Sequence, residues 1–206
     1  VYSERCKPLY PSYSSVEKRK INIAYIGINN HEIDLIAPFI EALKCENVKN
    51  SYRLILYGNT ISNEKWNQLG LSEIAEYRGW LDYSKDVSTL KDIDVFLQLL
   101  DDNNVSKAGW PNKLGDYLAF GKPVILSPYG DIIDFVKNEK GFFIVEYNKY
   151  SILKILQEIK DIPYSDLKTM GYANRQLAEK ISWKNRAKNI EYICNKIRFN
   201  NETVKN

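Results

Sequence analysis

The 206-residue chain has only three cysteines, at positions 6, 45 and 194, and a single histidine. The cysteines are widely spaced with no C-x-x-C pair. That leaves neither a zinc site nor a disulfide framework and suits a reducing cytoplasm. Cys45 and Cys194 fall in helical patterns and are expected to be small core residues. No apolar run reaches the length of a membrane span. The opening stretch VYSERCKPLYPSYSS is polar and carries prolines, without the apolar core of a signal peptide. A net charge of +3 is too weak to argue for nucleic acid. Basic residues do not gather around the four Trp and fifteen Tyr, so these read as packing residues rather than stacking platforms. Tandem repeats and low-complexity tracts are absent too. The ordinary balance of 44% hydrophobic and 27% charged residues fits one globular α/β domain with extensions.

Residues 1–20, with Pro8, Pro11 and the charged run EKRK, read as linker. Beyond them, short apolar runs alternate with helical periodicities. Strands are predicted at 21–27, 52–58, within 74–80, and at 93–100, 124–126 and 141–147. Helices are predicted at 34–44, with the helix proper beginning near Ala37 so that Pro38 lies in its first turn, at 62–69 capped by Ser62, and at 83–91, 113–120, 132–138, 151–160, 165–180 and 183–198. Residues 199–206 read as a polar tail. This alternation predicts an α/β fold, a Rossmann-like doubly wound parallel sheet of about six strands finished by C-terminal helices. Residues 101–111 form a long polar loop at the carboxyl end of the fourth strand, where open α/β sheets bind ligands. Asp101 and Asp102 in that loop read as capping residues rather than metal ligands, and His31 as a solvated or capping loop residue.

Chemistry concentrates in residues 109–129, GWPNKLGDYLAFGKPVILSPY. Asn112 is predicted to cap a short helix over 113–120, Gly121 to close it in a left-handed conformation, and 124–126 to be a buried strand. Lys113, Asp116, Tyr117 and Phe120 share one face of that helix, Leu114 and Leu118 the other. A helix start beside a lysine attracts phosphate. A carboxylate one turn on can accept hydrogen bonds from a ribose diol. The plain alternative is a surface helix with an i,i+3 ion pair between Lys113 and Asp116.

From residue 21 to 198 the chain resembles the C-terminal, donor-binding domain of GT-B glycosyltransferases, the family-4 retaining type in particular. PNKLGDYLAFGKPVI carries most of the resemblance. YRLILYG followed by YRGWLDYSKDVSTLKDIDVFL supports it, as does MGYANRQLAEKISWKNRAKNIEYI. The resemblance implies that Asp116 stands where an acidic residue, more often Glu, meets the donor ribose. It implies that Arg78, Gly79 and Trp80 lie where the base is held. Gly58, and the loop residues Gly109 and Trp110 ahead of Asn112, complete the candidate set. Two departures stand out. The family's second acidic residue, eight positions earlier, is replaced by Ala108. The segment IGINNHEID lacks the Arg and Lys that clamp the diphosphate, which leaves Lys113 and the backbone N–H groups at the helix start. The implied activity is transfer of a hexose from a UDP- or GDP-sugar to a cell-surface polysaccharide or glycolipid precursor, without cofactor or metal. The alternative is a non-catalytic nucleotide-sugar-binding or docking module. The implied partners are the donor and an N-terminal acceptor-binding domain or subunit, through which any peripheral membrane contact would run. The implied place is the cytoplasm, or the inner face of the membrane. The chain would then be half of a two-domain enzyme, with its last helix beside the interdomain cleft.

Overall fold

The structure, a computed structural model, describes residues 19–83 and 85–203, with side chains through residue 197. The expected linker lies outside the described residues except for Arg19 and Lys20, and so does Cys6. The strands are β1 (Ile21–Ile28), β2 (Tyr52–Gly58), β3 (Ala75–Tyr77), β4 (Val95–Gln98), β5 (Val124–Leu126) and β6 (Phe142–Ile144). They form one sheet in the order β3-β2-β1-β4-β5-β6, with every pair parallel. The helices are α1 (Glu32–Leu35), α2 (Ala37–Leu43), α3 (Asn63–Gln68), α4 (Asn104–Ala108), α5 (Asn112–Ala119), α6 (Asp131–Val136), α7 (Lys149–Ile159), α8 (Tyr164–Lys180) and α9 (Trp183–Thr203). This is the predicted Rossmann-like arrangement, with six strands.

The strand alternation produces two cores. Ile23, Tyr25, Leu54, Leu56, Val95 and Leu97 face one side, against the buried residues of α1, α2 and α7. Ala24, Ile26, Ile55, Tyr57 and Phe96 face the other, against α5 and α6. Burial on both faces is why these strands read as nearly continuous apolar runs. At the amino end of the sheet, Arg19 forks onto both oxygens of Asp94 at 2.8 and 2.6 Å, and the Asn22 N–H donates to the same carboxylate at 2.8 Å.

Several boundaries differ from the sequence reading. Within the stretch expected to be helical over 34–44, α2 begins at Ala37 as Pro38 requires, and the residues before Ile36 belong to the separate short helix α1, which was not expected. The helix expected over 83–91 is a single 3₁₀ turn, Val87–Leu90, a stretch too β-branched and short to propagate. The loop 101–111 contains α4, capped by Asn103, whose side chain accepts from the Ser106 N–H at 2.8 Å. Asn112 is not a cap. Pro111 takes that position, extended, and Asn112 is the first helical residue. Gly121 does close α5, at φ +70°. Helix α9 runs past residue 198 into the expected tail. Cys194 is exposed rather than in the core, and Cys45 only half-buried.

Candidate functional site

The strand order reverses direction between β1 and β4, so the crevice above their carboxyl ends is the switch point of the sheet. Its rim is built from glycine. Gly27 sits at an irregularity in the β1–β2 ladder with φ +86°. A Cβ there would lie 2.9 Å from Lys113 Cε, so the bare backbone is what lets Lys113 cross the end of β1. Gly58 is buried at the end of β2, and a Cβ there would lie 2.3 Å from the Ile28 carbonyl oxygen. Its N–H donates to the Gly79 carbonyl at 2.9 Å, so Gly58 and Gly79 meet at the rim. Trp80 follows, 70% exposed.

Helix α5 points its start at this rim. The Ile26 N–H donates to the hydroxyl oxygen of Tyr117 at 3.0 Å, and the Tyr117 ring stacks on Phe96 with centroids 4.3 Å apart. These contacts fix the helix against β1 and β4. Asn112 and Gly109 are exposed at its approach, and no side chain caps its first turn. Trp110 is tucked edge-on against Phe135 of α6 at 4.8 Å, and its buried indole N–H has no partner. Lys113 Nζ lies 3.1 Å from Glu32, 3.2 Å from the Tyr25 hydroxyl and 4.6 Å from the centre of the Tyr25 ring. The Tyr25 hydroxyl in turn donates to the same Glu32 oxygen. Burial, then the neighbouring Tyr117, pushes the Tyr25 hydroxyl far above its ordinary range, so it stays a donor. The cation therefore pairs with Glu32, not with Asp116 as the i,i+3 alternative had it. Asp116 is half-buried, which raises its carboxyl above the usual range. A hydrogen bond from the Tyr83 hydroxyl acts in the opposite direction. Tyr83 also stacks over Phe120 at 6.1 Å, which brings the segment after β3 onto α5.

Of the residues picked out by sequence, Gly58, Gly79, Trp80, Asn112, Lys113 and Asp116 lie along this rim and the start of α5. Arg78 does not join them. Its guanidinium forks onto Asp92 at 2.9 and 2.8 Å and also donates to Glu76, Tyr57 and the Thr89 carbonyl. Those partners lie in β2, in β3 and in the segment just before β4, so the side chain ties these elements together. Trp110 serves mainly as packing. Asp101 accepts from the Asn103 and Ser106 side chains and Asp102 pairs with Lys107, while the cap of α4 expected of them is Asn103. His31 is exposed before α1 and caps nothing with its side chain. Sequence reasoning passed over Tyr25, Glu32 and Tyr83. The glycine closing β1 marked the place, but the three join Lys113 and Asp116 only through the fold.

A family model described as "Glycosyl transferases group 1" matches residues 20–161. Among curated proteins, none matches this sequence. Solved structures share the fold at low identity. Sucrose-phosphate synthase from Thermosynechococcus elongatus superposes with a TM-score of 0.66 at 14% identity, over 88% of this chain and 46% of that one. HepE of Anabaena, in complex with UDP-glucose, superposes at 0.57 and 13% identity, over 78% and 44%. The chain spans about half the length of these two proteins or less. By contrast, it covers 95% of the C-terminal domain of LpcC, a group 1 family protein of Francisella tularensis, with 84% of itself matched at 0.56 and 16% identity. The chain belongs to the group 1 glycosyl transferases and has the Rossmann-like fold of the C-terminal half of a GT-B enzyme.

Proposed function

We propose that this chain is the donor-binding half of a glycosyltransferase of the family-4 retaining type. It would transfer a hexose from a UDP- or GDP-sugar to a cell-surface polysaccharide or glycolipid precursor. The observation that carries the reading is Lys113 crossing the bare Gly27 backbone at the switch point, with Asp116 one turn further along α5 and the exposed Trp80 following the rim residue Gly79. Trp80 offers a ring to the base, Asp116 accepts from the ribose hydroxyls, and Lys113 with the uncapped N–H groups of α5 faces the diphosphate. In transfer, negative charge grows on the departing diphosphate, and donors already aimed at it lower that barrier without reorganising. The proposed transfer uses neither a cofactor nor a metal. An N-terminal domain or subunit would bring the acceptor and any contact with the inner face of the membrane.

A second reading has its own support. Ala108 offers no carboxylate to the transferred sugar, and Glu32 already neutralises Lys113. Both suit a module that binds a nucleotide-sugar or docks in an assembly without catalysing transfer. Calorimetry with UDP, GDP and ADP tests what the two readings share. Weak binding of one of them without added metal is expected, and no binding of any at millimolar concentration overturns both. Transfer by this chain joined to an N-terminal half then separates them.

A further inference from the structure

The Glu32 carboxylate sits where the proposed site should be most positive. It is placed there deliberately by the fold. The Asn29 side chain accepts from the N–H groups of His31 and Glu32 at 2.8 and 2.9 Å, which starts α1 and aims Glu32 at the rim. Tyr25, buried in the sheet, donates to the carboxylate from below, and Lys113 meets it from α5. Glu32 and Lys113 each keep about a third of their side chain exposed, at 32% and 30%, so both face the crevice. The result is an ion pair in place of a free lysine, with a fixed carboxylate one hydrogen bond from the cation proposed to meet the diphosphate.

We infer that Glu32 is a specificity-determining residue that makes this site prefer a sugar-bearing nucleotide to the bare nucleoside diphosphate. The inference rests on the proposed seating of the diphosphate beside Lys113. Esterified to a sugar, the terminal phosphate carries one charge; released, it gains a second ionisation with a pKa near 6, so it is mostly dianionic at neutral pH. A carboxylate held within a few ångströms opposes that added charge, and the crevice, being partly desolvated, screens the repulsion less than bulk water does. Product is therefore expelled where donor is tolerated. A site with an arginine or lysine in place of Glu32 would have the reverse preference.

The test is calorimetry on the 206-residue chain and its Glu32→Gln variant, at one ionic strength and pH 7.5, with UDP against UDP-glucose and GDP against GDP-mannose. In the unsubstituted chain, the sugar nucleotide should bind at least as tightly as its diphosphate. Glu32→Gln keeps the shape and removes the charge, so diphosphate binding should tighten by about tenfold and sugar-nucleotide binding by clearly less. Variant affinities for both ligands that fall together would make Glu32 a support for Lys113 or a direct hydroxyl acceptor, and would overturn the inference. So would an unchanged ratio. A bare diphosphate that binds the unsubstituted chain tenfold more tightly than its sugar ester overturns it without any variant. Failure of all four ligands to bind removes the underlying reading as well.

Discussion

Asp116 and Lys122 are two ionisable residues of one motif whose burial has opposite consequences. Burial raises the Asp116 carboxyl, so over the window just above the ordinary carboxylate range the folded chain binds a proton that the unfolded chain has lost. Stability therefore falls as pH rises through that window, and ionised Asp116 is a cost at neutral pH. Asp116→Asn should leave the melting temperature at pH 7 unchanged or higher, while nucleotide binding weakens by about 1–3 kcal/mol if the carboxylate accepts ribose hydroxyls. Paired melting and calorimetry check this, and normal binding with a collapsed melting temperature would mark Asp116 as structural. Lys122, 5% exposed at the opposite end of the sheet, is lowered to about 8 by burial, against the pull of Asp94. Here the unfolded chain holds the extra proton, so stability should rise with pH above about 8, until the unfolded tyrosines begin to ionise near ~10. Lys122→Met should abolish that rise and stabilise the chain at pH 7, read by urea denaturation at pH 7 and 9.

Elements were legible where one cause acts over many residues. The β1, β2 and β4 runs are apolar but for Asn22, Arg53 and Gln98 because both faces are covered, and α7 shows its apolar stripe as predicted. Elements held by one or two local contacts were not. Helix α4 rests on the Asn103 cap, and the 3₁₀ turn at 87–90 on a bond from the Thr89 N–H to Asp86. The site divides in the same way. Lys113 and Asp116 could be found from helical spacing, but Glu32 meets Lys113 across a separation of 81 residues, which no periodicity encodes. Gly58 shows that a motif glycine can have a structural reason of its own. The sequence marks it as a candidate ligand residue, and its lack of a Cβ is what admits the Ile28 carbonyl at the β1–β2 junction. With φ at +145°, Gly58→Ala should cost about 1–3 kcal/mol in backbone strain, and more from the clash with rigid backbone. Chemical denaturation measures it. An alanine variant as stable as the parent would show that β1 and β2 can separate at their carboxyl ends.

At the scale of the molecule, the strongest sign of a missing surface is α9. Its stripe holds Trp183, Ile190, Ile193 and Ile197, each more than half exposed, beside Lys184 and Lys188. An apolar arc of that width left in water is costly and marks a contact surface. Among the described residues no helix is long and apolar enough to cross a membrane, so α9 is not a span. Under the two-domain reading the arc meets the acceptor half at the cleft. Two outcomes follow from it. Amides of α9 should exchange readily with solvent in this chain and become protected when an N-terminal half is joined to it. The chain alone should also transfer no sugar, because nothing holds an acceptor hydroxyl against the donor, and positioning of that kind supplies roughly 7–11 kcal/mol of a two-substrate barrier. A radiolabelled-donor assay decides the second point. Turnover onto any lipid or saccharide acceptor by this polypeptide alone would show that the crevice above β1 and β4 already contains a complete active site.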